Sequence, residues 1–294
     1  MKKIYVILSS LRPKHWIKSA FVFMPLLFAG LTFDMYLLLQ TFIAALAFSL
    51  CASAVYLIND LCDVTYDRAH PTKRKRALAS GEIARREVYA LIALLLVIAF
   101  SLLFFLRINP LLVAACLGLY TVLNLLYSLK LKHKPIIDIV VLASGYGLRV
   151  AVGSFATGIA VSNWLAVVVL VLAFFLGAGK RYAEMNDASM DDEERARPVL
   201  SVYSSAFLHA ATVLSASLVG TLYSLYVIAQ VEFYQASALY IASVPLVILI
   251  ILMYLYDLFL GKHGGDPTSI LLNNRYILAL CVLYVALIIA TFYL

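Results

Sequence analysis

Long apolar runs separated by short polar stretches dominate the 294-residue chain. A helix needs about 20 mostly apolar residues to cross the hydrocarbon core of a bilayer. Nine runs approach or exceed that length, and they predict spanning helices over residues 17–32, 36–58, 88–106, 110–129, 136–156, 163–180, 203–229, 236–256 and 272–293. The first is the weakest because Pro25 and Gly30 interrupt it. Residues 1–15 predict an interfacial helix before the first span.

The composition agrees with this pattern, since 64% of the residues are hydrophobic and only 13% are charged. Soluble proteins are about 45–50% apolar and about 25% charged. A soluble enzyme, a disordered protein and a disulfide scaffold are therefore excluded. The apolar runs do not alternate, which disfavours a membrane barrel. We predict an all-α, polytopic membrane protein whose single domain occupies residues 1–294.

The positive charges predict the orientation of the spans. When the N-terminus is placed in the cytoplasm, all of the 23 Lys and Arg residues except Arg107 and Arg149 fall at the inner side. Cytoplasmic loops carry such an excess of bases, so we predict a multi-pass membrane protein with its N-terminus inside and its C-terminus outside. The topology accounts for the net charge of +7, and nucleic acid is not expected as a partner.

Three carboxylates follow the second predicted span. Asp60, Asp63 and Asp67 recur at i, i+3 and i+7, which places them on one face of a helix. Mg²⁺ in proteins is held by one or two carboxylates together with phosphate oxygens and water. Asp60 and Asp67 are about 10 Å apart along a helix axis, so they are not expected to share one ion. Two ions bridged by a diphosphate, or one ion with outer-shell help, would fit.

A basic stretch follows the carboxylates, and together they predict a site for a metal-bound polyphosphate. The candidate binding residues here are Asn59, Arg68, Lys73, Arg74 and Arg76. The simpler alternative is a solvated helix end that pairs with nearby lysines.

Other candidate substrate-binding residues lie near the predicted inner ends of the spans. Arg149 lies within the fifth span, where an arginine most often faces a polar cavity; Asp138, its nearest acid in that span, is three turns away. The remaining candidates are Lys14, Lys18, Tyr127, Lys130, Lys180, Arg181 and Glu184. Interfacial lysines also set topology, an interfacial tyrosine is often an anchor, and Lys180 with Glu184 could form an i,i+4 ion pair.

The chain resembles the UbiA-type intramembrane prenyltransferases, whose first signature, NDxxDxxxD, is matched by residues 59–67. The similarity is closer to the decaprenyl-phosphate phosphoribosyltransferase branch. It rests on LRPKHWIKSAFVFMPLLFAG (11–30), NDLCDVTYDRAHPTKRKRALASG (59–81), GAGKRYAE (177–184) and YGLRVAVGSFATG (146–158). The resemblance implies nine helices around a cavity that opens at the cytoplasmic face.

The resemblance also implies a reaction. A 5-phosphoribosyl group would pass from 5-phosphoribosyl-1-diphosphate to a polyprenyl (decaprenyl) phosphate, with Mg²⁺ as cofactor and diphosphate as the second product. Asp60, Asp63 and Asp67 would be the metal ligands and catalytic groups. In this branch the product feeds the synthesis of an arabinose donor for the cell wall. The apolar helix faces could meet lipid or a second copy of the chain, so a homo-oligomer stays open.

One departure from the prenyltransferase pattern concerns the end of the sixth span. A second aspartate motif is typical there, but this chain has Lys180 and Arg181, with Asp187 and Asp191 only in the polar stretch that follows. Bases at this place favour a donor with an additional phosphate. A prenyltransferase that acts on an aromatic acceptor is the main alternative. A transporter is disfavoured because the charges gather at one face and no internal repeat is evident.

Overall fold

The computed structural model describes residues 2–69, 73–186, 198–234, 237–260 and 267–293, and all regular structure within these ranges is helical. The α-helices are α1 (Lys2–Ser10), α2 (Met24–Phe28), α3 (Met35–Ala69), α4 (Arg85–Ser101), α5 (Pro110–Leu129), α6 (Ile137–Thr157), α7 (Asn163–Met185), α8 (Ser205–Tyr234), α9 (Ser243–Phe259), α10 (Pro267–Asn273) and α11 (Arg275–Tyr293). Short 3₁₀ helices cover Lys73–Lys75, Leu102–Phe105, Leu131–His133, Pro198–Ser201 and Ala238–Ala242, and a longer one covers Pro13–Phe23. The predicted all-α class is confirmed.

Eight helices of the described ranges are long and apolar enough to cross a membrane. They are α3 to α9 and α11, with α4 and α9 extended by their adjoining 3₁₀ turns. These eight correspond to the second to ninth predicted spans. The main difference is in α3, which continues to Ala69 rather than ending at residue 58. The carboxylates therefore lie on the same continuous helix as the second span.

The first predicted span is not a long α-helix. It is a 3₁₀ helix, Pro13–Phe23, followed by the short α2. Proline lacks the amide hydrogen that an α-helical bond needs, and Pro13 and Pro25 lie at the starts of these two pieces. The 11 residues of the 3₁₀ helix rise by about 2.0 Å each, which is more than an α-helix gives. The 3₁₀ part is therefore longer than an α-helix of the same number of residues.

The interrupted segment runs along α3 and α6. At its start, Ser53 of α3 accepts a hydrogen bond from Trp16 at 3.0 Å and donates one to the Leu11 carbonyl at 2.8 Å. At its far end, the Gly30 carbonyl accepts from the Tyr293 hydroxyl at 2.8 Å. In between, a Cβ atom at Gly153 of α6 would lie 1.9 Å from the Val22 carbonyl oxygen. Only glycine permits this close approach.

The largest buried apolar cluster surrounds the middle of α3. It joins α3, α5 and α6 to the 3₁₀ segment and includes Phe48, Cys51, Leu117 and Tyr120. A second cluster joins α7 to α8 and the C-terminal helices around Phe175 and Tyr254. Many large apolar side chains on the outer surface stay exposed, as expected for faces that meet lipid. The first cluster fixes the helix that carries the aspartates.

Candidate functional site

Asp60 and Asp67 lie one above the other on α3 and share a single cationic partner. Nη1 of Arg76 donates to Asp60 Oδ1 at 3.0 Å and to Asp67 Oδ2 at 2.7 Å. Both aspartates are largely buried, at 8% and 4% exposure. Although Asp60 and Asp67 are seven residues apart on the helix, their side chains lean toward the same nitrogen atom. That the two do not share one metal ion stays a prediction.

Arg76 reaches this position because the segment that contains it, residues 73–84 before α4, packs against α3. The Lys73–Lys75 turn precedes it, and the Arg76 amide donates to the Lys73 carbonyl at 2.9 Å. Leu78 and Ile83, which follow, are buried with Leu57 and Val64 of α3 in one apolar cluster. The burial of these side chains holds the guanidinium against the aspartates.

Arg12 supplies a second guanidinium to Asp60. Its Nη2 contacts Asp60 Oδ1, and its guanidinium carbon lies 5.0 Å from the centre of the Tyr56 ring. Arg12 has a left-handed backbone with φ of 53° just before Pro13. A residue before proline usually takes an extended conformation, so this is a strained position held by its surroundings. Two cations and two carboxylates thus meet at one point.

Asp63 has partners other than Arg12 and Arg76. It contacts Lys132 of the short Leu131–His133 helix, and Asn59 Nδ2 donates to Asp63 Oδ2 at 3.0 Å. Ser128 at the end of α5 donates in turn to Asn59 Oδ1 at 3.2 Å. The aspartate motif is therefore divided between a pair, Asp60 with Asp67, and a separate, hydrogen-bonded Asp63.

The pair has the donor chemistry that Mg²⁺ requires. Carboxylate oxygens are hard ligands, and two of them can approach one cationic centre, as Arg76 demonstrates. In the described part of the chain no three His, Cys, Asp or Glu side chains converge as a complete ligand set. The residues thus fit an ion that takes its remaining ligands from phosphate and water.

A cavity of about 110 Å³ lies beside this cluster and reaches toward the middle of α6. Arg12 stands between the two, because it lines the cavity and also contacts Asp60. Its lining combines apolar side chains with bases, aromatic rings and one amide, and the polar and aromatic members besides Arg12 are His15, Lys18, Tyr56, Tyr120, Asn124, Tyr146, Arg149 and Lys180. Arg149 is buried and lies over the Phe48 ring, 4.4 Å from its centre. Arg149 thus lines a cavity, and its predicted role in binding substrate stays a prediction.

Arg181 is placed differently from Lys180. It is completely buried, and its guanidinium donates to Asp138 Oδ2 at 2.5 Å, to the Tyr127 hydroxyl at 2.6 Å and to Glu184. Tyr203 donates to the other oxygen of Asp138 at 2.6 Å. Burial and this bond to a carboxylate raise the pKa of Tyr203 well above its ordinary value, so the phenol keeps its proton. This buried network joins α5, α6 and α7 to the segment before α8.

The network changes the interpretation of several predicted residues. Asp138 pairs with Arg181 rather than with Arg149, and Glu184 pairs with Arg181 at i,i+3. The hydroxyl of Tyr127 also belongs to this network. Direct binding of substrate by Arg181, Glu184 and Tyr127 stays a prediction. The contacts themselves indicate a structural role, in which the network holds α5, α6 and α7 together.

The other predicted binding residues lie at the edges of the site. Arg68 donates to the Ala79 carbonyl at 3.3 Å, and Lys73 and Arg74 lie on the turn that leads to Arg76. Lys14 and Lys130 are exposed. Asp187 and Asp191 lie outside the described residues, so their role is untested.

Reasoning from the sequence did not select Arg12, Lys132, Asp138 and Tyr203 as site residues. The sequence indicates Arg12 and Lys132 only as topology signals, because a base near the end of a span has no local feature that separates binding from orientation. The one available signal was Asp138, an acid inside an apolar run, which requires a buried partner.

Comparison with known proteins identifies the family of this chain. The model of the UbiA prenyltransferase family matches residues 19–274. The decaprenyl-phosphate phosphoribosyltransferase of Mycolicibacterium smegmatis is 32% identical over 299 residues, covering 98% of this chain and 92% of that protein. The protein of the same name from Mycobacterium tuberculosis is 33% identical over 284 residues, covering 95% and 92%.

A solved structure shows the same fold. The structure of a UbiA homolog from Archaeoglobus fulgidus bound to GPP and Mg²⁺ has a TM-score of 0.70 and 17% sequence identity. The match covers 98% of this chain and 100% of that one. The resemblance inferred from the sequence motifs is confirmed, and the chain belongs to the UbiA prenyltransferase family.

Proposed function

We propose that this protein transfers 5-phosphoribose from 5-phosphoribosyl-1-diphosphate to a polyprenyl phosphate such as decaprenyl phosphate, and releases diphosphate. The observation that carries the proposal is the meeting of Asp60 and Asp67 with Arg12 and Arg76. Paired carboxylates with two guanidinium groups provide both metal ligands and phosphate donors. The two full-length relatives bear the name of this activity.

Asp60 and Asp67 would hold Mg²⁺, with Asp63 as a further ligand or an outer-shell group. When bound, the ion would neutralise charge on the diphosphate and stabilise it as a leaving group. Arg12 and Arg76 then donate to diphosphate oxygens, since Arg binds phosphate with two parallel hydrogen bonds. Asn59 and Lys132 hold Asp63 in a fixed orientation.

The chemistry needs no nucleophile from the protein. The bond between ribose C1 and the diphosphate oxygen breaks, C1 becomes oxocarbenium-like, and an oxygen of the lipid phosphate forms the new bond. The lipid phosphate is an anion at neutral pH, so no strong base has to deprotonate it. We expect inversion at C1. An α-linked product from the wild-type protein would contradict this inversion, and with it a direct displacement at C1.

We propose that this site opens at the cytoplasmic face of a bacterial inner membrane, with the N-terminus inside. The distribution of Lys and Arg supports this orientation. The reacting groups would meet at the end of α3, while the isoprenoid tail would lie along the apolar outer grooves.

The test is a transfer assay with purified protein, labelled phosphoribosyl diphosphate, decaprenyl phosphate and Mg²⁺. We expect a labelled lipid that is lost with EDTA and with Asp60→Asn or Asp67→Asn. Asp34→Asn is the matched control, because this exposed acid caps the start of α3 and asparagine can also cap it. Turnover of geranyl diphosphate with an aromatic acceptor, and none of the phosphoribosyl donor, would establish the prenyltransferase alternative.

A further inference from the structure

Arg149 is a buried arginine in the second half of α6. Only 3% of the residue is exposed, and Nη1 donates to the Gly145 carbonyl at 2.6 Å. Nε has no hydrogen-bond partner, and within the described ranges no carboxylate pairs with this guanidinium. Its other neighbours are the rings of Phe48, Tyr120 and Tyr146, with centres 4.4, 5.5 and 5.9 Å from the guanidinium carbon.

This environment favours an anionic ligand. Aromatic faces stabilise a cation by up to about 2 kcal/mol when it is desolvated, but they carry no net charge. A buried charge is otherwise costly unless it is paired and hydrogen-bonded. The cavity that Arg149 lines is also lined by Lys18 and Lys180, so an anion placed there would meet three bases.

The size of the cavity limits what the anion can be. A cavity needs roughly 10–15 Å³ to hold one buried water molecule, and this cavity has a volume of about 110 Å³. A phosphate group with part of a sugar fits such a space. A long isoprenoid chain does not, and its hydrocarbon would have to desolvate the arginine without any compensating charge.

We infer that the Arg149 cavity is a phosphate-monoester subsite, distinct from the diphosphate site at Asp60 and Asp67. This inference rests on the proposed function, because a phosphoribosyl diphosphate is charged at both ends. Arg12 lies between the two sites and contacts Asp60. A donor with a diphosphate at one end and a 5-phosphate at the other can occupy both, which makes Arg149 a determinant of donor specificity.

Two substrates carry a phosphate monoester, namely the ribose end of the donor and the head group of the acceptor lipid. Their shared chemistry is what Arg149 recognises. Ribose 5-phosphate and geranyl phosphate represent the two sources separately. Ribose and geraniol are the matched probes that lack the phosphate.

The experiment measures equilibrium binding of the four probes to the full chain in nanodiscs, for the wild type, Arg149→Met and Arg149→Lys. Arg107→Met is the control, since Arg107 is an exposed arginine outside the site. We expect one phosphorylated probe to bind at least about tenfold more weakly to Arg149→Met, with binding of Mg²⁺–diphosphate unchanged. Arg149→Lys should retain part of the affinity, and it replaces Arg149→Met if the latter does not fold.

The outcomes separate the inference from the proposed function. Loss of ribose 5-phosphate binding assigns the subsite to the donor, and loss of geranyl phosphate binding assigns it to the acceptor. Equal affinity of Arg149→Met and wild type for both probes would overturn the inference, as would wild-type binding to neither probe. None of these results requires turnover, whereas the proposed function fails only if the wild-type protein makes no labelled lipid.

Discussion

Arg181 and Asp138 form an ion pair from which solvent is fully excluded, with Nε of the arginine 2.5 Å from Oδ2 of the aspartate. Each of the two is also bonded to a tyrosine, Arg181 to Tyr127 and Asp138 to Tyr203. Most hydrogen-bonding groups of both side chains are thus satisfied within the protein. The pair links the start of α6 to the end of α7 beside the site.

Removal of one member of this pair should destabilise the protein strongly. Arg181→Met leaves the Asp138 carboxylate buried beside Tyr203 alone, and breaking a buried pair in this way costs about 3–5 kcal/mol. We expect a clearly lower thermal unfolding midpoint in detergent. The double variant with Asp138→Leu should recover much of the loss, because it removes both charges.

A surface pair provides the comparison for Arg181. Lys3 and Glu87 are paired at an exposed position, and exposed pairs contribute little to stability. Lys3→Met should leave the unfolding midpoint near that of the wild type. If Arg181→Met had the same unfolding midpoint as Lys3→Met, the buried network would not stabilise the fold.

The close contact between α6 and the 3₁₀ segment predicts a second stability effect. Gly153→Ala would place a Cβ atom 1.9 Å from the Val22 carbonyl oxygen, so the backbone must move. We expect a loss of about 1–3 kcal/mol, typical of overpacking. Gly118→Ala is the control, because in the described ranges no atom outside its own helix backbone lies within 4 Å of the added Cβ. Equal unfolding midpoints for the two variants would contradict the contact.

The aspartates should differ in metal binding. Asp60→Asn and Asp67→Asn each remove a ligand charge from the shared centre, and we expect at least about tenfold weaker Mn²⁺ binding in the presence of diphosphate. Asp63→Asn should have a smaller effect, since Asp63 points to Lys132. Electron paramagnetic resonance of Mn²⁺ measures this without turnover. Asp34→Asn should match the wild type, and equal losses for all three aspartates would argue against the pairing.

Arg76 should act on diphosphate rather than on the lipid. Arg76→Met removes a guanidinium that reaches both aspartates, and we expect inhibition by diphosphate to weaken by about 10–100-fold with the KM for decaprenyl phosphate unchanged. Arg86→Met, an exposed arginine on α4, is the control. A change confined to the lipid KM would contradict this assignment.

Helical spacing and hydropathy predict much of this protein from the sequence. The i, i+3, i+7 spacing places the aspartates on one helix, and apolar length locates α5 at residues 110–129 as observed. The sequence does not predict which residues pair with the aspartates. Arg12 and Lys132 come from distant parts of the chain, and their positions depend on packing such as the bonds of Ser53 to Leu11 and Trp16.

Burial explains the remaining differences between prediction and structure. Lys180 and Arg181 are adjacent in the sequence, yet one lines the cavity and the other is completely enclosed. Successive residues on a helix point about 100° apart, so neighbours can face different surroundings. Which of the two faces the cavity is decided by Asp138 and Tyr127, which no local pattern connects to position 181.

Because α3 is one continuous helix, a change of its direction in the core also moves the carboxylates near its C-terminal end. Phe48, against which Arg149 packs, lies 12 residues before Asp60, which is about 18 Å along the axis. A tilt of about 5° at Phe48 would move the Asp60 carboxylate by about 1.5 Å, and a misplacement of about 1 Å can cost a hundredfold in rate. Substitutions deep in the core, far from any substrate, are therefore able to act as catalytic lesions.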